Sequence, residues 1–82
     1  MIRMEKPSKL TPSKVVDNAV AFFGPGGLGL EVTERAECCV RLEGGGGYVL
    51  IQAAEDKNGR GSLIEIESRE WEYHVKRFLE KV

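Results

Sequence analysis

The chain has 82 residues, 12 basic and 13 acidic, for a net charge of −1. That length allows one domain and limits how much core it can bury alone. The balanced charge lacks the basic footprint of a nucleic-acid binder, and no apolar run approaches the ~20 residues that span a membrane.

The charge is unevenly placed. Residues 1 to 16 hold Arg3, Lys6, Lys9 and Lys14 against Glu5, while the rest of the chain is acidic. Residues 1 to 10, with Pro7 and no sustained period, read as a flexible N-terminal arm with at most a little extended structure at Ile2 to Met4. The N-terminus has no apolar core of the secretion-signal kind. A helix follows. Thr11 suits an N-cap, Pro12 sits where a missing N–H costs nothing, and Val15, Val16, Ala19, Val20, Phe22 and Phe23 supply the stripe. Gly24, in a left-handed cap, and Pro25 are expected to end it.

The period then changes from 3.6 to 2. Leu28, Leu30 and Val32 predict a first strand, and Cys38, Val40 and Leu42 a second. Gly44 to Gly47 form a turn. Val49, Ile51 and Ala53 give a third strand, and Ile64 and Ile66 a fourth within Ser62 to Glu67, after a polar turn centred on Asn58–Gly59. The last helix is expected over Ser68 to Val82, capped by Ser68. Trp71, Val75, Phe78, Leu79 and Val82 fall on one face at i, i+4, i+7, i+8 and i+11. Such short links between strands require antiparallel pairing. The expected fold is therefore α+β over residues 11 to 82: helix, four-stranded antiparallel meander, helix, in two layers with both helices on one sheet face.

Several motifs invite chemistry. Gly24-Pro25-Gly26-Gly27-Leu28-Gly29 spells the dinucleotide-binding G-x-G-x-x-G. It follows a helix and opens a strand, the reverse of what phosphate binding needs, so it reads as a helix stop. The only two cysteines, Cys38 and Cys39, are neighbours, and the only histidine is His74. That set is short of a zinc site, and no cofactor is implied. Adjacent strand cysteines point to opposite faces, so free thiols are expected, with Cys38 in the core, Cys39 outside, and a cytoplasmic location. Nothing in the spacing pairs His74 with either thiol, and the outer strand carboxylates read as a solvated face, so the chain leans away from enzyme activity.

The order of elements, with Leu63-Ile64-Glu65-Ile66-Glu67 closing the meander before the Trp71 to Val82 helix, resembles the half-size unit of TATA-binding-protein-like folds. It also looks like a shortened helix-grip domain, the class of polyketide cyclases and START-type lipid binders. The resemblance is topological, covers residues 11 to 82 and carries no functional residue across.

By alternation, the outer sheet face holds Cys39, Arg41, Tyr48, Leu50, Gln52 and Leu63, more apolar surface than water alone calls for. The leading expectation is a non-enzymatic interaction module that forms a homodimer, or meets a protein partner, through this face. The alternative is a small hydrophobic ligand held between the last helix and the sheet, near Trp71, His74, Gly45 and Gly46.

Overall fold

The computed structural model describes residues 1–57 and 59–82. The chain runs β1 (Ile2–Ser8), α1 (Pro12–Phe23), β2 (Glu31–Arg35), β3 (Cys39–Gly44), β4 (Gly47–Glu55), β5 (Ser62–Arg69) and α2 (Glu72–Lys81). The strands lie in the order β1-β5-β4-β3-β2, antiparallel throughout. The fold is α+β, with five strands where four were expected. The fifth is β1, formed by the segment expected as an arm. Its inward positions are Ile2, Met4, Lys6 and Ser8, so polar residues interrupt the apolar signal after two positions. Pro7 is tolerated because β1 is an edge strand, where an N–H can face solvent.

The polar pair on β1 ties down the far end of the chain. Lys6 Nζ donates to Leu79 O, and Ser8 Oγ donates to Val82 O at 2.8 Å. These carbonyls belong to the end of α2, where backbone acceptors lack helical partners and a cation suits the helix dipole.

α1 returns the chain from one sheet edge to the other. Its 12 residues span ~18 Å at 1.5 Å each, about the width of five strands spaced ~4.8 Å apart. Thr11 Oγ1 accepts from Lys14 N, and Pro12 takes the first helical position. The helix does not end in a left-handed glycine: Gly24 has φ −75° and is extended. The loop instead folds back onto the helix end, with Leu28 N donating to Phe22 O and Leu30 N to Phe23 O. A Cβ on Gly27 would lie 2.1 Å from Phe22 O, so this approach requires glycine. Leu28 therefore sits in a loop, 38 % exposed, and β2 begins at Glu31.

The inner face of the sheet follows the period-two pattern. Val40 and Leu42 on β3, Val49, Ile51 and Ala53 on β4, and Ile64 and Ile66 on β5 are buried in one cluster with Val15, Val16, Ala19 and Phe23 of α1 and Val75, Phe78 and Leu79 of α2. Both helices thus cover the same face, α1 over β3 and β4 and α2 over β5. The β3–β4 hairpin turns at Gly45 and Gly46, whose φ values of 59° and 81° suit a type I′ turn. The expected Asn58–Gly59 turn falls partly on Asn58, outside the described residues.

Two boundaries differ from expectation for one reason. β5 continues to Arg69 because Ser62 and Ser68, small and buried, extend the inward positions of Ile64 and Ile66. The chain then bends at Glu70, with φ 71°, and α2 starts at Glu72. Ser68 is therefore not a cap, and Trp71 precedes the helix instead of joining its stripe. Cys38 also leaves its expected place. It is exposed in the turn before β3, and the two expected thiols are joined as a Cys38–Cys39 disulfide. A turn frees adjacent side chains from the opposed directions that a strand imposes.

Ser68 Oγ is buried and finds no hydrogen-bond partner. Ser68→Ala should therefore leave stability unchanged or raise it by up to about 1 kcal/mol, because the unpaired hydroxyl carries a desolvation cost. Trp71→Phe should act oppositely. Trp71 Nε1 donates to Gly44 O at 2.9 Å, and losing that bond should cost about 1–2 kcal/mol. Urea denaturation of the two variants checks both signs.

Candidate functional site

With both helices on one side, alternation assigns the other face of the sheet to solvent. The register aligns one row across all five strands: Arg3 on β1, Glu67 on β5, Leu50 on β4, Arg41 on β3 and Glu34 on β2. Glu34 reaches this row through a bulge between Val32 and Glu34. On one side of the row, Tyr48 lies between Arg69 and Glu43. On the other side, Gln52 lies between Glu65 and Cys39, and beyond it Ala54 pairs with Leu63. The six residues expected on the outer face, Cys39, Arg41, Tyr48, Leu50, Gln52 and Leu63, share this surface. Leu50, Tyr48, Cys39 and Arg41 are half-buried, and Leu63 is 40 % exposed.

Tyr48 organises the charged half of the face. Its hydroxyl donates to Glu67 Oε2 at 2.7 Å and lies 3.2 Å from Met1 Sδ. The Arg41 guanidinium stands 4.8 Å from the centre of the Tyr48 ring, and Arg41 Nε donates to Glu43 Oε2 at 3.1 Å. Arg3 Nε is 3.7 Å from Glu67 Oε1. Exposed pairs of this kind contribute roughly 0–1 kcal/mol each, so they orient side chains more than they stabilise the fold. The hydrogen bond to Glu67, partial shelter from water and the Glu67 charge raise the Tyr48 phenol above its ordinary value of 10.0, with Arg41 and Arg69 opposing.

The face is hollowed. A depression of about 630 Å³ lies at one end of the face, where Thr11, Pro12 and Ser13 at the start of α1 border Cys38, Cys39, Ala54, Leu63 and Glu65. A second, of about 410 Å³, lies over β1, β5 and β4 and shares Gln52 and Glu65 with the first. The sheet edges are protected. β1 carries Pro7 among exposed charges, and β2 carries Glu31, Glu34, Arg35 and the bulge. Such edges resist adding another strand.

The other candidate residues gather elsewhere. Trp71, His74 and Gly45 meet at the hairpin end of the sheet, with the Trp71 and His74 rings 5.3 Å apart. The indole lies against the turn so closely that a Cβ on Gly45 would sit 2.9 Å from it. Gly46 points away, with nothing within 4 Å of a built Cβ. His74 and the cysteine pair are at opposite ends of β3, so they form no nucleophile–base pair. In the glycine-rich loop, the N–H groups of Gly27, Leu28, Gly29 and Leu30 already donate to backbone carbonyls. They leave no cradle for a phosphate.

Among the described residues, no three His, Cys, Asp or Glu side chains converge to hold a metal ion, and no helix is long and apolar enough to cross a membrane. Sequence reasoning missed Arg3 and Glu34 as members of the central row. The Ile2 and Met4 alternation was the available signal for the first. The bulge that places the second has none, because strict alternation puts Thr33 in its position.

Comparison of the chain with protein-family models, curated proteins and solved structures finds no match.

The Tyr48–Glu67 bond has a checkable pH dependence. Its donor is the neutral phenol, so its contribution is intact below the ordinary tyrosine value and is lost as pH rises through the raised folded value. In a Tyr73→Phe background, phenolate absorbance should report Tyr48 titrating above pH 10.0. Adding Glu67→Gln should move that midpoint down.

Proposed function

We propose that this protein is a non-enzymatic interaction module that forms a twofold dimer through the uncovered sheet face. One observation carries the reading. Across the five strands, the central row reads positive, negative, apolar, positive, negative: Arg3, Glu67, Leu50, Arg41, Glu34. The row changes sign about its own centre. A twofold axis in the interface, parallel to β4 and passing by Leu50, sets Leu50 against the partner's Leu50. It also sets Glu67 against the partner's Arg41, and Arg3 against the partner's Glu34. The same operation sets Arg69 against the partner's Glu43. Such self-complementarity is what an isologous contact requires.

The next row creates no like-charge clash, since Glu65 meets the partner's Cys39. Aligned sheets cross at about 30°, so the match is closest along the central row and looser toward the ends. The apolar groups available for burial are Leu50, Tyr48, Ala54 and Leu63, and the protected edges favour stacking over strand addition. A small hydrophobic ligand near Trp71 lacks comparable support, because the indole already covers Gly45. The Cys38–Cys39 bridge closes the shortest possible loop and so contributes least as a staple.

Light scattering should give twice the 9.1 kDa chain mass. Glu67→Arg and Arg41→Glu should each weaken the dimer roughly 10- to 100-fold, since each sets like charges together. Combining the two reversals should restore dimerisation. A clean monomer at high concentration, or a double reversal no better than the singles, would overturn the proposal.

A further inference from the structure

We propose that Cys38 and Cys39 form a reversible thiol–disulfide switch that controls the apolar end of the dimer face, an inference that rests on the self-association reading above. The pair is the chain's entire cysteine content, and its two sulfurs are bonded to each other. A bridge between neighbours constrains almost none of the unfolded chain, so global stability does not account for it. Its effect is local.

That locality falls on the contact face. Both cysteines line the larger depression, beside Ala54, Leu63 and Glu65. The backbone of the pair is held on two sides. Cys38 O accepts from Ala53 N of β4 at 2.8 Å, and Cys39 O accepts from Ala36 N in the β2–β3 turn at 2.8 Å. The turn lets the two side chains meet, and the sulfur–sulfur bond fixes both of them in the wall of the depression. Opening it leaves these backbone bonds in place and frees the Cys38 side chain, which is exposed, to leave the wall of the depression. Pre-ordering of a contact surface favours docking, so the oxidised form is the better dimer.

The chemistry closes without a further protein group. Two thiols react with a low-molecular-weight disulfide, RSSR. One cysteine thiolate displaces RS⁻ to give a mixed disulfide. The neighbouring thiolate then displaces the second RS⁻ and forms the Cys38–Cys39 bond. Two electrons pass to RSSR, which leaves as two RSH carrying the two thiol protons. A dithiol reductant reverses both steps. Cys38 is accessible for the first attack. In the twofold arrangement, Cys39 faces the partner's Glu65 and not the partner's cysteines, so ring closure competes with no bridge between chains.

Full-length protein is reduced with dithiothreitol or oxidised with oxidised glutathione, then alkylated and weighed intact. Reduced protein should gain two alkyl groups. Oxidised protein should gain none and run as a single chain on a non-reducing gel. Free thiols persisting in excess oxidant, a stable mixed disulfide or covalently linked chains would each overturn the switch.

Sedimentation of both forms then reads the coupling, with the reduced dimer expected to dissociate at least tenfold more readily. The Cys38→Ser/Cys39→Ser variant should match the reduced form and ignore the oxidant. Equal dimerisation in both redox states overturns the switch while the dimer stands. No dimer in either state overturns the self-association and the coupling together, while the alkylation result separately decides whether the pair cycles.

Discussion

Phe23 and Phe78 are both fully buried, and their rings pack 5.4 Å apart. This contact between α1 and α2 determines which face of the sheet is inside. Each helix carries one apolar stripe, and joining the stripes at the aromatic pair commits both to the same side. Phe22 extends the cluster, 4.9 Å from Phe23 and 5.7 Å from Phe78, and Lys81 covers its ring from outside at 5.0 Å. Every inward residue of β3, β4 and β5 then has a partner above it. Among the described residues, no second layer of helix or strand covers the outward side.

The termini of the chain are drawn together by the same layer. α2 meets the sheet over β5, and β1 lies beside β5 at the edge. Lys6 and Ser8 therefore reach the carbonyls that α2 leaves unpaired at its end. These two residues explain why β1 was hard to read. Their inward positions are filled by polar groups whose partners are more than seventy residues away, information that no local window contains. A hydrophobic period can announce a strand that buries apolar groups. It cannot announce one whose inward side satisfies a helix terminus.

Other elements were legible in proportion to how local their causes are. Thr11 and Pro12 mark the start of α1 through a cap and a missing N–H, both decided within one turn. The inward Val49, Ile51, Ala53, Ile64 and Ile66 follow from period two. The β5–α2 boundary did not follow, because Ser68 has the residue type of a cap and the burial of a core position. Trp71 repeats at helical spacing with Val75 and Phe78, yet its indole is held by Gly44 across the hairpin. The cysteine pair departs from alternation in a related way: Cys38 lies in the turn before β3, where the opposed directions of strand side chains do not hold. For the outer face, six residues could be named from alternation. The charge order that gives them meaning needs Arg3 from an unrecognised strand and Glu34 from an unrecognised bulge.

In the proposed dimer, the charges and the apolar groups do different work. Arg3, Glu67, Arg41 and Glu43 already form exposed pairs within one chain, and exchanging them for pairs across the interface gains little after desolvation. Their order along the row instead selects one orientation, because shifting or reversing the partner sets like charges together. Affinity must then come from burying Leu50, Tyr48, Ala54 and Leu63. An 82-residue chain has little core to spare for exposed apolar area, so covering these groups is favourable in itself. Leu63 and Ala54 stand at the end of the face where the Cys38–Cys39 bridge forms the wall. A chemical change in that wall therefore acts on the affinity-bearing end and leaves the charge row that sets the orientation intact.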